Sequence, residues 1–270
     1  MAATLAAAPP RPPRIGRVNW LGMATLYRRE VWRAARNLVD GVLGPVVTNL
    51  LFLAVLQVAL GSGAWPVAGV SLAAFVAPAL VLFAVAERAL TASSGSILFD
   101  KYLGVIADLT MAPLTPTERV VAYGCSAATA GLMTGGAVAI LLLPIAGSAF
   151  PAPHLAAFFA VATGLLFGLI GIPVGLWSRR WDHHTIAHNF LFIPPAYFAG
   201  MFYPVDRLPE AARWVVRLNP FYYGLDGFRA GVAGWSEGDA AAGAGILLVS
   251  ILAIGFLAHR LLLSGYRVKA

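Results

Sequence analysis

Hydrophobic residues in this chain gather into long, nearly uncharged runs, and the length of those runs decides the architecture. A bilayer core takes roughly 20 mostly apolar residues per helix. Six stretches meet that requirement, at about residues 41–60, 67–86, 120–146, 155–177, 185–204 and 241–263. The pattern predicts an all-α integral membrane protein of six transmembrane helices.

Three regions between and before the spans are amphipathic. Over residues 18–39, Leu21, Ala24, Val31, Trp32, Ala35 and Leu38 share one helical face and Arg29, Glu30, Arg33 and Arg36 the other, with Leu26 and Arg28 breaking the pattern. This reads as an interfacial helix on the inner membrane surface, serving either as an anchor alone or as a contact for a partner. A long inner loop is expected from Glu87 to Arg119. Within it Ile97, Leu98, Tyr102, Val105 and Leu109 recur at helical spacing opposite Asp100, Lys101 and Asp108, and Pro113 and Pro116 end the pattern. Such a helix either lies on the surface or docks into a groove on a soluble partner.

The third region is the outer segment GMFYPVDRLPEAARWVVRLNPFYYGLDGFRAG after the fifth span. Pro209 suits a first helical position, Glu210 suits the N-terminal dipole, and Asn219-Pro220 stops one helix and caps the next. Two short helices follow. Their Trp214, Val215, Leu218, Phe221, Tyr222 and Phe228 are too apolar for open water, so the helices are expected to lie in the outer leaflet or dip back into it. Asp226 and Arg229, three apart, are spaced to pair.

Composition agrees with this plan: 59% of residues are hydrophobic and 11% charged, too little polar surface for a soluble globule. With both termini inside, the inner segments hold Arg11, Arg14, Arg17, Arg28, Arg29, Arg33, Arg36, Arg88, Lys101, Arg119, Arg179, Arg180, Arg260, Arg267 and Lys269, which is 15 of the 19 Lys and Arg. Arg207, Arg213, Arg217 and Arg229 remain outside, all in one segment. The positive-inside rule therefore makes both termini cytoplasmic, and the net charge of +7 needs no nucleic-acid partner. Residues 1–16, rich in proline, read as a disordered lead, and 17–270 as one transmembrane domain.

Packing signals are frequent: Gly131 with Gly135, Gly164 with Gly168 and Gly171 with Gly175 follow the small-x-x-x-small spacing. Asn49 and Gln57, eight apart in the first span, share a face that should meet protein or a cavity. Chemistry is sparse. His184 and His188, with His183 or Asp182, have the spacing of a metal pair, but His154 and His259 stand alone, and helix-end histidines meeting headgroups are the simpler reading. No GxSxG and no P-loop occur, the single Cys125 excludes a disulfide framework, and no metal site is expected. An ion-driven transporter or channel is the main rival, yet the six stretches lack a carboxylate, with Asp40 and Glu87 placed at their ends.

The order of parts resembles that of a type-2 ABC transporter permease, in the branch of lipooligosaccharide nodulation-factor exporters and bacterial drug exporters. The resemblance runs over nearly the whole chain, and its specific element is the outer motif of Tyr203, Pro204, Leu208, Pro209, Asn219, Pro220, Tyr223, Asp226 and Arg229. The Pro-rich lead departs from the pattern. The resemblance implies a bacterial inner-membrane homodimer joined by two copies of a cytoplasmic ABC ATPase, which holds the ATP and Mg; this chain carries no cofactor of its own. It implies a coupling helix at Lys101, Tyr102, Leu103, Val105, Ile106, Asp108, Leu109 and Met111, and re-entrant outer helices. It also implies that the first and fifth spans meet across the dimer, bringing Asn49, Gln57, Tyr197 and Phe202 near the export pathway. The expected cargo is an amphipathic lipid-linked, saccharide or drug-like molecule.

Overall fold

The computed structural model describes residues 16–37, 39–60, 70–106 and 111–267. The expected disordered lead, apart from residue 16, and the coupling residues Asp108 and Leu109 lie outside them. The described chain is helical: α1 (Trp20–Arg36), α2 (Gly44–Leu60), α3 (Leu72–Tyr102), α4 (Pro116–Ile145), α5 (Pro153–Trp177), α6 (Trp181–Ile186), α7 (Ile193–Phe198), α8 (Glu210–Arg217), α9 (Pro220–Ala233) and α10 (Ala240–Leu263). Among the described residues five helices are long and apolar enough to cross a membrane: Gly41–Ala59, Leu72–Tyr102, Pro116–Ile145, Pro153–Trp177 and Ala240–Leu263. The remaining predicted span, 185–204, is helical in pieces. A π-helical turn, Ala187–Phe192, joins α6 to α7, and the run ends before Gly200, whose φ is +77°.

The largest departure from the expected loop plan is α3. The chain does not leave the helix at Glu87; it continues to Tyr102, so Ile97, Leu98 and Tyr102 belong to a long helix rather than to a separate cytoplasmic one. The polar residues that end the apolar run, Ser93, Ser94, Ser96 and Asp100, are buried against protein. A helix can carry such residues through its interior when neighbours satisfy them. Ser93 donates to the Gly168 carbonyl at 2.7 Å. Glu87 and Arg88 accordingly sit mid-helix and not at a span end, so α3 carries a carboxylate within a span.

α3 forms the centre, packed between α4 and α5. The glycine pairs permit this closeness. A Cβ on Gly171 would lie 2.5 Å from the Leu90 carbonyl, and one on Gly175 2.7 Å from that of Ser94, so α5 meets α3 backbone to backbone there. α9 runs antiparallel along the first half of α5, with Gly231 against Ala156, Gly224 against Thr163 and Phe221 edge-on to Phe167 at 5.5 Å. From Pro153 to Phe167 α5 rises about 21 Å, so the start of α9 lies more than halfway along it. α2 and α10 bury only 11% of their span windows within the subunit, whereas α3 buries 78%.

Candidate functional site

Two polar clusters stand at opposite ends of the packed core. The first joins α1 to the end of α3. Asp100, only 2% exposed, receives Arg29 at 2.9 Å and Arg33 at 2.9 Å. Glu30 accepts from Arg29 and from Ser96 Oγ, and Ser96 in turn accepts from Arg33 at 2.6 Å. The charged face of α1 thus faces protein. Leu26, read as a break in the pattern, is the buried apolar contact, while Trp20, Leu21 and Trp32 are exposed. Asn19 caps α1 through Gly22 N–H at 2.9 Å and donates from its own backbone to Glu118 Oε1 at 2.7 Å and from its side chain to the Pro113 carbonyl at 2.9 Å. Glu118 and Thr115 form a capping box that starts α4.

Between these ties lies the expected coupling segment. Lys101 turns inward and donates to the carbonyls of Gly175 at 3.0 Å, Ser178 at 3.2 Å and Leu176, closing the C-terminal end of α5. Gly104, at φ +72°, turns the chain away from α3. Tyr102, Leu103 and Met111 are 74%, 57% and 83% exposed, whereas Ile106 packs with Leu26 and Ile97 and Val105 is half-buried. The exposed Tyr102 and Leu103 thus stand beside the tie to α5, and the exposed Met111 beside the tie to α1 and α4.

The second cluster is built on α9. Arg229, 4% exposed, donates through Nε to the Phe75 carbonyl at 3.2 Å and through Nη2 to those of Gly200 at 3.0 Å and Met201 at 2.9 Å. Its guanidinium carbon lies 3.9 Å from the centre of the Phe75 ring, a cation–π contact. The left-handed Gly200 is what lets two successive carbonyls aim at one guanidinium; a Cβ there would meet Val205 at 2.8 Å. Asp226 does not pair with Arg229 directly. Its carboxylate accepts the Glu237 and Gly238 N–H groups at 2.6 and 2.9 Å, fixing the turn after α9. Glu237 accepts the Val205 N–H at 2.9 Å. Burial pushes the Glu237 carboxyl up to about 7 and Asp226 in the same direction, against the downward pull of those N–H donors.

The rest of the outer motif acts in turns and caps. Tyr203 donates to the Phe198 carbonyl at 3.1 Å, Pro204 leads into the turn Val205–Arg207, and Leu208 offers its carbonyl to Arg213 at 2.9 Å. Pro209 precedes α8 instead of opening it. Asn219 caps α9 at Phe221 N–H and donates to the Pro195 carbonyl at 2.6 Å; Pro220 is the first helical residue, and Tyr223 donates to the Arg217 carbonyl at 2.8 Å. Of the four residues expected near a pathway, Tyr197 and Phe202 stand together at 5.6 Å, with Phe52 of α2 and Phe83 of α3 beside them. Asn49 is buried and donates to Pro45 within its own helix, and Gln57 is half-buried on the same face, past the buried Leu53.

Sequence reading missed the contacts of Asp100, Glu30 and Glu118, and that of Glu87, whose carboxylate meets His188 Nε2 at 3.0 Å. For Glu87, Asp100 and Glu118 the signal was a lone carboxylate within or beside a long apolar run, where a charge needs a partner; Glu30, set among arginines, gave no such signal. His184 meets Ser94 Oγ at 2.8 Å, and among the described residues no three His, Cys, Asp or Glu side chains gather to hold a metal.

Comparison with known proteins extends this picture. The chain is 27% identical over 252 residues to the inner membrane transport permease YadH of Escherichia coli (strain K12), covering 93% of this chain and 98% of that one. It is 24% identical over 253 residues to nodulation protein J of Rhizobium leguminosarum bv. viciae, covering 92% and 95% respectively. The ABC-2 type transporter family profile matches residues 22–232, from α1 through the last buried turn of α9. Because that match covers most of the chain, Asp100 and Arg229 with their arginine and carbonyl partners among it, the chain belongs to the ABC-2 type transporter family and is a multi-pass membrane subunit of a transporter.

Proposed function

We propose that this chain is the permease half of an ATP-driven exporter in a bacterial inner membrane, working as two copies joined to two copies of a cytoplasmic ATPase. The observation that carries the reading is the exposed apolar tip of Tyr102, Leu103 and Met111, anchored through Lys101 to α5 and through Pro113 and Glu118 to α1 and α4. A rigid body pushing on that tip moves α1, α3, α4 and α5 together, since each is bonded to it or to its ends. ATP-driven closure of the ATPase pair supplies the push, and the spans tilt between two packed arrangements. Both termini face the cytoplasm. The helical run 181–198 completes a sixth crossing; its 18 residues rise about 27 Å, close to a bilayer core. α8 and α9 form a re-entrant outer pair.

The poorly buried α2, with Val47, Leu51, Val55 and Val58 outward, supplies a face for the second copy. Tyr197, Phe202, Asn49 and Gln57 then stand near the pathway. The cargo class is an amphipathic lipid-linked, saccharide or drug-like molecule, because the aromatic lining offers stacking and apolar contact with few charges. The test is co-purification of the tagged chain with the ATPase encoded beside it. Replacing Tyr102 and Leu103 by Asp is expected to release the ATPase while the permease remains a folded dimer by size-exclusion chromatography. A permease that purifies alone, or an ATPase that stays bound to the double variant, overturns the reading.

A further inference from the structure

A lateral groove of about 760 Å³ lies between α5, α10 and the helical run 181–198, and its walls are almost wholly apolar. Volumes of this size suit an organic ligand. The groove follows α5 from Phe167 to Trp177, a rise of about 15 Å, which is half of a bilayer core of roughly 30 Å. Its deep end is closed by Asn219, Pro220 and Pro195. Asn219, the one polar residue of the lining, is already engaged there, its amide donating to the Pro195 carbonyl and its oxygen capping α9. A ligand's polar part therefore belongs at the other end.

That end is cationic. Arg179 and Arg180 lie two and three residues after Trp177, past the buried Ser178, and are exposed, Arg260 is exposed one turn beyond the lining residue Leu257, and Arg267 donates to the Trp177 carbonyl at 2.7 Å. Asp182 is the acidic group nearest in sequence to Trp177, Arg179 and Arg180. The wall of the groove includes the π-helical turn Ala187–Phe192, which widens the run at this point.

We infer that this groove holds one acyl chain of an anionic inner-leaflet phospholipid, with the phosphate among the arginines at the Trp177 end. Depth argues for a lipid over a helix of a second copy, since a spanning helix needs a surface crossing both leaflets and this groove ends at mid-depth. Bound there, the lipid wedges the run 181–198 against α5 and α10 and sets the position of α7 and of Tyr197. The inference rests on the cytoplasmic orientation of the Trp177 end. Its readout needs neither ATP nor transport, so its failure leaves the exporter reading intact, and failure of that reading leaves the lipid measurement meaningful.

The experiment is native mass spectrometry of the detergent-purified chain titrated with phosphatidylglycerol or phosphatidylcholine of identical acyl chains. The wild type should retain one phosphatidylglycerol per chain about tenfold more tightly than phosphatidylcholine. Arg179→Gln with Arg180→Gln should narrow that preference to about twofold, and Ala187→Trp, which fills the groove, should abolish retention of the lipid. Should Ala187→Trp fail to fold, phosphatidylglycerol brominated on its acyl chains should quench wild-type fluorescence more than that of Trp177→Phe. Equal retention of the two lipids by the wild type, unchanged retention in Ala187→Trp, or equal quenching overturns the proposal. So does conversion of a dimer to a monomer by Ala187→Trp, which would make a second copy the occupant.

Discussion

The α1 and α9 ends of this subunit both hold arginine in place, but they do so by opposite means. At the α1 end, Arg29 and Arg33 are each about a third exposed and meet the carboxylates of Asp100 and Glu30. Water reaches one partner of every pair, so the attraction is screened and modest. At the α9 end a buried guanidinium has no carboxylate in direct contact and is satisfied by three backbone carbonyls from α3 and the 200–201 turn. Backbone groups cannot rotate away, and an arginine sealed among them cannot leave without stranding them. The α1 end is therefore the more easily opened of the two, a latch, and the α9 end a plug held by backbone groups.

Arg229→Leu should have the largest effect. It leaves the carbonyls of Phe75, Gly200 and Met201 unpartnered, at a cost on the order of 3 kcal/mol or more, and lowers the Tm in detergent by roughly 10 °C. A Tm within 2 °C of wild type would mean that water or another side chain satisfies those carbonyls and that no plug exists.

Asp100→Asn should act locally. Arg29 and Arg33 lose their shared carboxylate, and amide hydrogen exchange in Trp20–Arg36 should rise about tenfold with little change in α9. Arg36→Gln is the control, since Arg36 is exposed and lies over Trp32 instead of meeting Asp100. Equal exchange in the two variants would remove Asp100 from the latch.

The smallest effect is on pH dependence. The Glu237 carboxyl titrates near 7 in the fold and near 4.5 when exposed, so the folded protein holds an extra proton between those values. Stability contributed by this group is present below about pH 4.5 and is lost as pH rises through about 7. The Tm should fall slightly over that window, Asp226 adding in the same direction, and Glu237→Gln should flatten the slope. A slope unchanged in the variant would assign it to other groups.

Most of the helical plan was legible in the sequence because hydropathy reports contact with lipid. It failed where polar residues turn toward protein. The pattern places an inner loop with a separate short helix after Glu87, Asp100 on its polar face, yet Ser93, Ser94, Ser96 and Asp100 all lie buried on the continuous α3. The charged face of α1 read as solvated for the same reason; its partner, Asp100, lies far along the chain. Asp226 and Arg229 have the spacing of a pair, but the turn at 237–238 and the carbonyls at 200–201 compete successfully for them, and no local pattern encodes those partners. The outer motif itself was readable because Asn219, Pro220 and Gly200 act locally, as cap, first turn and left-handed bend.

Motion is expected to enter at the latch while the plug stays closed on α5. Hydrogen exchange of the complete transporter, with and without ATP, tests it most directly. The account predicts that ATP changes exchange in α1 and in residues 100–106 while α9 and the 200–201 turn keep their protection. Loss of protection in α9 with α1 unchanged would contradict it, because the driven end would then be the outer one.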